Sequence, residues 1–272
     1  MASVYLIASG KGGVGKSTLS VNLGYALARS GASVVLIDAD IGLRGLDSLL
    51  ALENQVMYDL IDVADGHCDL DDALLSVPVN PGLKLLPAAQ FKRAKDLDAK
   101  CLRRILRDLR IRNDYILVDC PAGIERGFRN VMNSSVCKPI LIATPDDLSI
   151  RDAERVSFLL QDHGLSRPSL IMNRLDKTLI RKGEMISAES AALLLDLPLL
   201  GEIPEDPTVY RSQLRHRLLL DFDCEARNAV LRIAARINGT ETAFPRYGSR
   251  RISLLNRLYL KNMKEVLPLD CH

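Results

Sequence analysis

The stretch Ser9-Gly10-Lys11-Gly12-Gly13-Val14-Gly15-Lys16-Ser17-Thr18 decides the fold. It contains the pattern G-x-x-x-x-G-K-[ST], filled by Gly10, Gly15, Lys16 and Ser17, and it carries one lysine more than that pattern requires. In such a loop, backbone N–H groups close around a phosphate, one lysine reaches the terminal phosphate oxygens, and one hydroxyl holds Mg²⁺. Gly12 and Gly13, having no Cβ, let the backbone approach a ligand closely. The flanks fit: Val4 to Ala8 reads as a buried strand, and Leu19 to Arg29 as a helix. The candidate nucleotide-binding residues are therefore Gly12, Gly13, Val14, Gly15, Lys16, Ser17 and Thr18. Lys11 is the outlier. Two ammonium groups this close repel unless a polyanion lies between them, and a nucleoside triphosphate is such a polyanion.

Working outward, apolar runs recur at Val34–Ile37, Leu83–Leu86, Tyr115–Val118, Ile140–Ala143, Leu170–Met172 and Leu199–Ile203, with helix-period segments between most of them. Near-continuous apolar strands alternating with helices predict an α/β fold, doubly wound, with a mostly parallel sheet covered by helices on both faces. In such sheets ligands bind outside the carboxyl ends of the strands. The chemistry-bearing residues fall there. Val34–Ile37 leads into Asp38-Ala39-Asp40, Tyr115–Val118 into Asp119-Cys120-Pro121, and Leu170–Met172 into Asn173-Arg174.

An apolar strand ending in Asp is the Walker B arrangement, which makes Asp119, with Ser17, a candidate for the magnesium shell. The competing reading of Asp119 is an Asx turn or helix cap before Pro121. Asp38 and Asp40 likewise read either as turn residues or as catalytic ones, since a hydrolase needs a group that positions the attacking water and a segment that senses the terminal phosphate. Asn173 can pair with an adenine edge through its donor and acceptor.

Bulk properties set limits. The 272 residues are 47% hydrophobic and 26% charged, ordinary for a folded chain with a sizeable core. Thirty-six basic and 34 acidic residues leave a formal charge of +2, which argues against a surface devoted to nucleic acid. No nucleic-acid partner is expected. Six cysteines lack C-x-x-C spacing and four histidines lack H-E-x-x-H, so neither a Cys/His metal site nor a disulfide framework is expected. The chain enters a strand at once and has no apolar run of spanning length, so a cytoplasmic location is expected.

The pattern K-G-G-x-G-K-[ST] resembles the deviant Walker A of the MinD/ParA family, and Asp38 to Asp47, Val118 to Glu125 and Ile203 to Asp206 resemble its MinD branch. The resemblance runs from about residue 1 to 239, the expected ATPase domain. It implies ATP and Mg²⁺ as ligands and a homodimer in the ATP-bound state. It further implies that Lys11 reaches the nucleotide of the partner subunit, with Lys16 and Asp40 as further catalytic residues. In the family's D-x-D-x-G-L-R-N-L-D, Asp40 would position the water and Asp38 join Ser17 and Asp119 around the metal; this chain has Gly45 where Asn is usual. Asn173 and Arg174 would meet the adenine, and Pro204, Glu205 and Asp206 would cover it. An iron–sulfur reading of Cys120, suggested by a related redox protein, lacks a second placed ligand.

The C-terminus separates the branches. Residues 240–249 have linker composition, and 250–264 form a helical pattern. Ile252, Leu255, Leu258, Tyr259, Leu260 and Met263 share one side of it, while Arg250, Arg257, Lys261 and Lys264 share the other, with Arg251 at the start. From Arg246 to Lys264 there are six cations and no acid. This predicts an amphipathic helix on an anionic membrane surface, against the alternative of a last helix docked on the body. Residues 265–272 have no assigned role. The resemblance implies division-site selection in a bacterium, at the inner face of the cell membrane. It also implies recruitment of a septum inhibitor of the MinC type and a topological regulator of the MinE type. The rivals are a ParA-like DNA partition ATPase and a flagellar-number regulator of the same family.

Overall fold

The computed structural model describes residues 2–42, 45–90, 98–123, 129, 131–132 and 137–245. The expected membrane helix, including Arg251, Ile252, Leu255, Arg257, Leu258, Tyr259, Lys261 and Met263, lies outside them.

Eight strands form one sheet: β1 (Ser3–Ser9), β2 (Val34–Asp38), β3 (Leu75–Ser76), β4 (Leu83–Leu86), β5 (Tyr115–Asp119), β6 (Lys138–Ala143), β7 (Ser169–Leu175) and β8 (Leu199–Pro204). Their spatial order is β3-β4-β2-β5-β1-β6-β7-β8, and every pairing is parallel except β3 with β4. The short antiparallel β3 is not expected from the sequence, because two residues carry no period to read.

The helices among the described residues are α1 (Lys16–Arg29), α2 (Leu46–Leu49), α3 (Leu60–Asp65), α4 (Leu70–Ala73), α5 (Ala99–Arg112), α6 (Asp147–Asp162), α7 (Lys177–Lys182), α8 (Ala188–Leu195), α9 (Pro207–Leu214) and α10 (Glu225–Ile237). They cover both faces of the sheet, which is why the strands read as nearly unbroken apolar runs. Alternate residues of β1 show the division. Val4, Leu6 and Ala8 join a core with Leu102 and Leu109 of α5 and Val156 of α6. Tyr5 and Ile7 join the opposite core with Leu23 and Leu27 of α1 and Ile233 of α10. Leu36, fully buried in the second core, illustrates the packing: Leu36→Ala should cost about 2–5 kcal/mol.

Central β1 lies between β5 and β6. The crossover through α1 leads one way, and the later strands β6, β7 and β8 build the other way. The crevice at this reversal, above the carboxyl end of β1, is where a ligand site is expected.

Candidate functional site

The loop after β1 reaches α1 with Gly13 at φ 79° and Gly15 at φ 94°, left-handed values that disfavour residues with a Cβ. Gly15 caps α1 without any side-chain hydrogen bond, and the first turn contains no acid. The free N–H groups and positive end of the helix thus face the crevice, an arrangement suited to an anion. Space constrains the loop as well as angle. A Cβ at Gly10 would lie 2.5 Å from the backbone carbon of Asp152 in α6, and one at Gly15 would lie 2.5 Å from Nδ2 of Asn173.

The base of the loop is a buried polar cluster. Lys16 Nζ lies 3.1 Å from Asp119 Oδ2, with side-chain exposures of only 7% and 1%. Ser17 Oγ donates to Asp119 Oδ2 at 2.7 Å, and Ser20 Oγ donates to Asp119 Oδ1 at 2.7 Å. Burial by itself lowers the Lys16 pKa, but Asp119, with Cys120 and Asp40 acting in the same sense, outweighs it, so the ammonium is held above the usual lysine value. Asp119 stands beside Asp38 across the parallel pairing of β5 with β2.

Asp38 is buried, and burial followed by repulsion from Asp119 pushes its pKa up to about 7, against the backbone donors that favour its ionised form. Its Oδ1 accepts from the amide of Asp40, and its Oδ2 from the amides of Gly45 and Leu46, each at 3.0 Å. Both oxygens of Asp38 therefore hold the loop that leads into α2. Gly45 has φ −117° and ψ −26°, ordinary right-handed values, and nothing lies within 4 Å of where its Cβ would stand. Half-buried Asp40 has a raised pKa, because burial and Asp119 together outweigh the field of Lys16.

Lys11 occupies the lip of the loop. Its Nζ lies 2.8 Å from Asp146 Oδ1, with side-chain exposures of 31% and 48%. Asp146 also accepts from Thr144 Oγ1 at 2.6 Å and from the amide of Ser149 at 3.0 Å, which caps α6. Burial raises the Asp146 pKa, yet Lys11, Thr144 and the amide of Ser149 together outweigh it and hold the carboxyl below its ordinary value.

Beside the loop is a cavity of about 160 Å³, lined by Thr18, Asn173, Arg174, Pro204, Tyr210 and Leu219, among others. Asn173 Nδ2 donates to the carbonyl of Val14 at 2.7 Å, fastening β7 to the phosphate loop. Arg174 has φ 59°, at an irregularity in the β7–β8 pairing, and its Nε lies 4.0 Å from Glu205 Oε2. Asp206 is the N-cap of α9, accepting from the amides of Thr208 at 2.8 Å and Ala226 at 3.3 Å. It braces the wall of the cavity, to which it also contributes. Gln213 Nε2 donates to Thr18 Oγ1 at 2.8 Å and ties α9 to α1.

The structure thus brings Gly12 to Thr18, Asp38, Asp40 and Asp119 into one crevice, with Asn173, Arg174 and Pro204 to Asp206 at its side. Residues that sequence reasoning misses are Ser20, Asp146 and Gln213. Asp146 has a weak signal, an Asp three residues before Ser149 after an apolar strand, but that pattern marks a helix cap and nothing more. Cys120 is buried, and burial pushes its thiol well above the usual range. Among the described residues no group of three His, Cys, Asp or Glu could hold a metal ion.

The donors at the base of the loop suit magnesium in a phosphate site. One hydroxyl and one carboxylate, Ser17 and Asp119, offer hard oxygen ligands, and Mg²⁺ typically takes its remaining ligands from water and nucleotide phosphates. The crevice and its loop define a P-loop nucleotide-binding protein with a second lysine in the loop. Residues 5–220 match the family described as the CobQ/CobB/MinD/ParA nucleotide binding domain. The chain is 40% identical over 260 residues to the septum site-determining protein MinD of Synechocystis, covering 95% of this chain and 97% of that one. It resembles the MinC:MinD cell division protein complex of Aquifex aeolicus, at TM-score 0.82 and 37% identity over 91% of this chain and 100% of the other. It also resembles MinD of Pyrococcus horikoshii complexed with Mg-ADP, at TM-score 0.78 and 29% identity over 88% and 96% of the two chains. The chain belongs to the MinD branch of the MinD/ParA family of nucleotide-binding proteins.

Proposed function

We propose that this protein is an ATP-hydrolysing switch for division-site selection, which dimerises when ATP is bound and then holds to the inner face of the membrane. The observation that carries the reading is the pair of lysines in one loop. Lys16 is buried against Asp119, whereas Lys11 sits half-exposed at the lip with an exchangeable carboxylate partner, free to reach a phosphate held by a second subunit.

In this reading the loop amides from Gly12 to Gly15, with Lys16 and Thr18, hold the phosphates. Ser17 and Asp119 hold Mg²⁺, which when bound neutralises charge on the phosphoryl oxygens. Asp40 orients and polarises the attacking water. Asp38 acts through the loop its oxygens hold, so that contact between that loop and the terminal phosphate is felt at α2. Asn173, Arg174 and the Pro204–Asp206 turn form the base pocket. Residues 1–239 would be the ATPase domain and 250–264 the membrane helix.

One short basic helix binds a membrane weakly, since each cation near an anionic leaflet contributes about 1 kcal/mol and the helix must be ordered on binding. Two helices on one dimer gain about 10² to 10⁴ in avidity. Dimerisation would then set location. The membrane-bound dimer would recruit a septum inhibitor of the MinC type, with release stimulated by a regulator; the Aquifex structure is a complex of MinC with MinD. Among the described residues no helix is long and apolar enough to cross a membrane.

Co-sedimentation with anionic vesicles in ATP and in ADP, with duplex DNA as control, tests the reading. ATP-dependent pelleting with lipid and not with DNA is expected. Salt-sensitive DNA binding without lipid binding would move the protein to the partition branch.

A further inference from the structure

At the end of the sheet opposite the nucleotide crevice lies a second cavity, of about 350 Å³. Lys138 and Ser169, the first residues of β6 and β7, stand in its wall with Arg167, Ser166 and Arg236, over the ring of Tyr5. Three cations and no carboxylate line it. Lys138 is exposed and its Nζ lies 5.8 Å from the centre of the Tyr5 ring; among the described residues it has no carboxylate within ion-pair distance. Arg167 pairs with Asp196, which is outside the lining and almost fully exposed. Arg236 donates to the backbone carbonyls of Leu200, Thr242 and Ala243 and, among the described residues, to no acid, with Glu202, outside the lining, acting on it only through its field. Three cations, only one of them in an ion pair among the described residues, standing with two serine hydroxyls over an apolar floor suit an oxyanion that carries carbon, such as a phosphodiester with its glycerol.

The cavity also marks where the chain leaves the body. Arg236 clasps Thr242 and Ala243 and lies 3.7 Å over the ring of Phe244. The basic run that starts at Arg246 follows directly in sequence. We propose that the cavity walled by Lys138, Arg167 and Arg236 binds the phosphodiester headgroup of an anionic phospholipid, as a second membrane contact on the body beside the root of the tail. This rests on the membrane reading of that tail.

The test uses the full-length chain with ATP and Mg²⁺ on phosphatidylglycerol/phosphatidylcholine vesicles. It compares wild type, the double variant Lys138→Gln/Arg167→Gln, and a charge-matched control, Arg181→Gln/Lys182→Gln, at two exposed positions elsewhere. In parallel, backbone amide shifts are followed by NMR during titration with glycerophosphoglycerol and with inorganic phosphate. The expected result is a loss of vesicle affinity of about fivefold for each charge removed from the cavity, against less than about twofold for the control. Glycerophosphoglycerol should shift the amides of Lys138 and Ser169 in wild type and not in the double variant. Equal vesicle binding by the two variants, or no headgroup shifts in wild type, would overturn the proposal while leaving the tail reading standing. Shifts with inorganic phosphate combined with equal vesicle binding would reassign the cavity to a soluble phosphate. Failure of wild type to bind vesicles at all, with headgroup shifts intact, would refute the tail reading and with it a lipid source.

Discussion

The two lysines of the phosphate loop sit five residues apart in different physical worlds. Lys16 and Asp119 are 7% and 1% exposed, and the pair is extended by the hydroxyls of Ser17 and Ser20. Lys11 and Asp146 are 31% and 48% exposed, and Asp146 has a second, helix-capping partner in the amide of Ser149. A buried pair is costly to break, because removing one partner strands the other charge. A half-exposed pair contributes little and is readily exchanged. One loop thus combines a fixed cation that builds the site with a movable one, which in the proposed switch senses a second subunit.

Breaking each pair in turn exposes the difference. Lys16→Ala should cost about 3–5 kcal/mol in urea unfolding of the nucleotide-free protein and reduce nucleotide affinity more than about 100-fold. Lys11→Ala should change stability by less than about 1 kcal/mol while abolishing nucleotide-dependent dimers. Similar unfolding costs for the two would erase the distinction.

Glu202 sharpens the comparison as a buried charge without such a partner: its Oε1 has no hydrogen-bond partner, and burial, then Glu189, pushes its pKa up to about 7 from 4.5. The folded state then binds more protons than the unfolded one between about pH 4.5 and 7, so stability falls as pH rises through that window and levels off above it. Glu202→Gln should remove up to about 3 kcal/mol of that slope, measured by unfolding at pH 5 and pH 8. Asp38, raised for the same leading reason, slopes in the same sense and remains in the variant. An unchanged pH profile would show that Glu202 is solvated or paired in solution.

Smaller effects follow at the edges of the loop. Gln213→Ala removes the bond to Thr18 and should weaken nucleotide binding by about 3- to 10-fold, read by calorimetric titration, with little change in unfolding. Gly45→Ala should stabilise the fold by about 0.4–1 kcal/mol in thermal unfolding, because the backbone there is right-handed and the space is open. A destabilised variant would mean that the loop moves through conformations only glycine allows.

The parallel sheet is legible in the sequence because strands buried on both faces read as unbroken apolar runs, and the crevice because Asp38, Asp119 and Asn173 follow such runs. Geometry that depends on which partner a side chain chooses is not legible. Asp38 has the sequence context of a metal ligand, and its oxygens also take the amides of Asp40, Gly45 and Leu46, which no residue type announces. Asn173 and Asp206 have the context of base contacts and do line the cavity, but the partners that anchor them there are not written in the sequence. Asn173 donates to Val14, and Asp206 caps α9. Asp146 is invisible because its partner Lys11 lies 135 residues away. Likewise, nothing in the linker-like composition after residue 239 shows that Arg236 folds Thr242 to Phe244 back onto α10.

The most direct test of the role of Lys11 is sedimentation equilibrium of wild type and Lys11→Ala in saturating ATP and Mg²⁺, with hydrolysis blocked by Asp40→Ala in both backgrounds. A switch that works through Lys11 requires a dimer for the Asp40→Ala chain and a monomer once Lys11→Ala is added. Dimers of equal affinity in the two chains would contradict it and leave Lys11 as no more than the surface partner of Asp146.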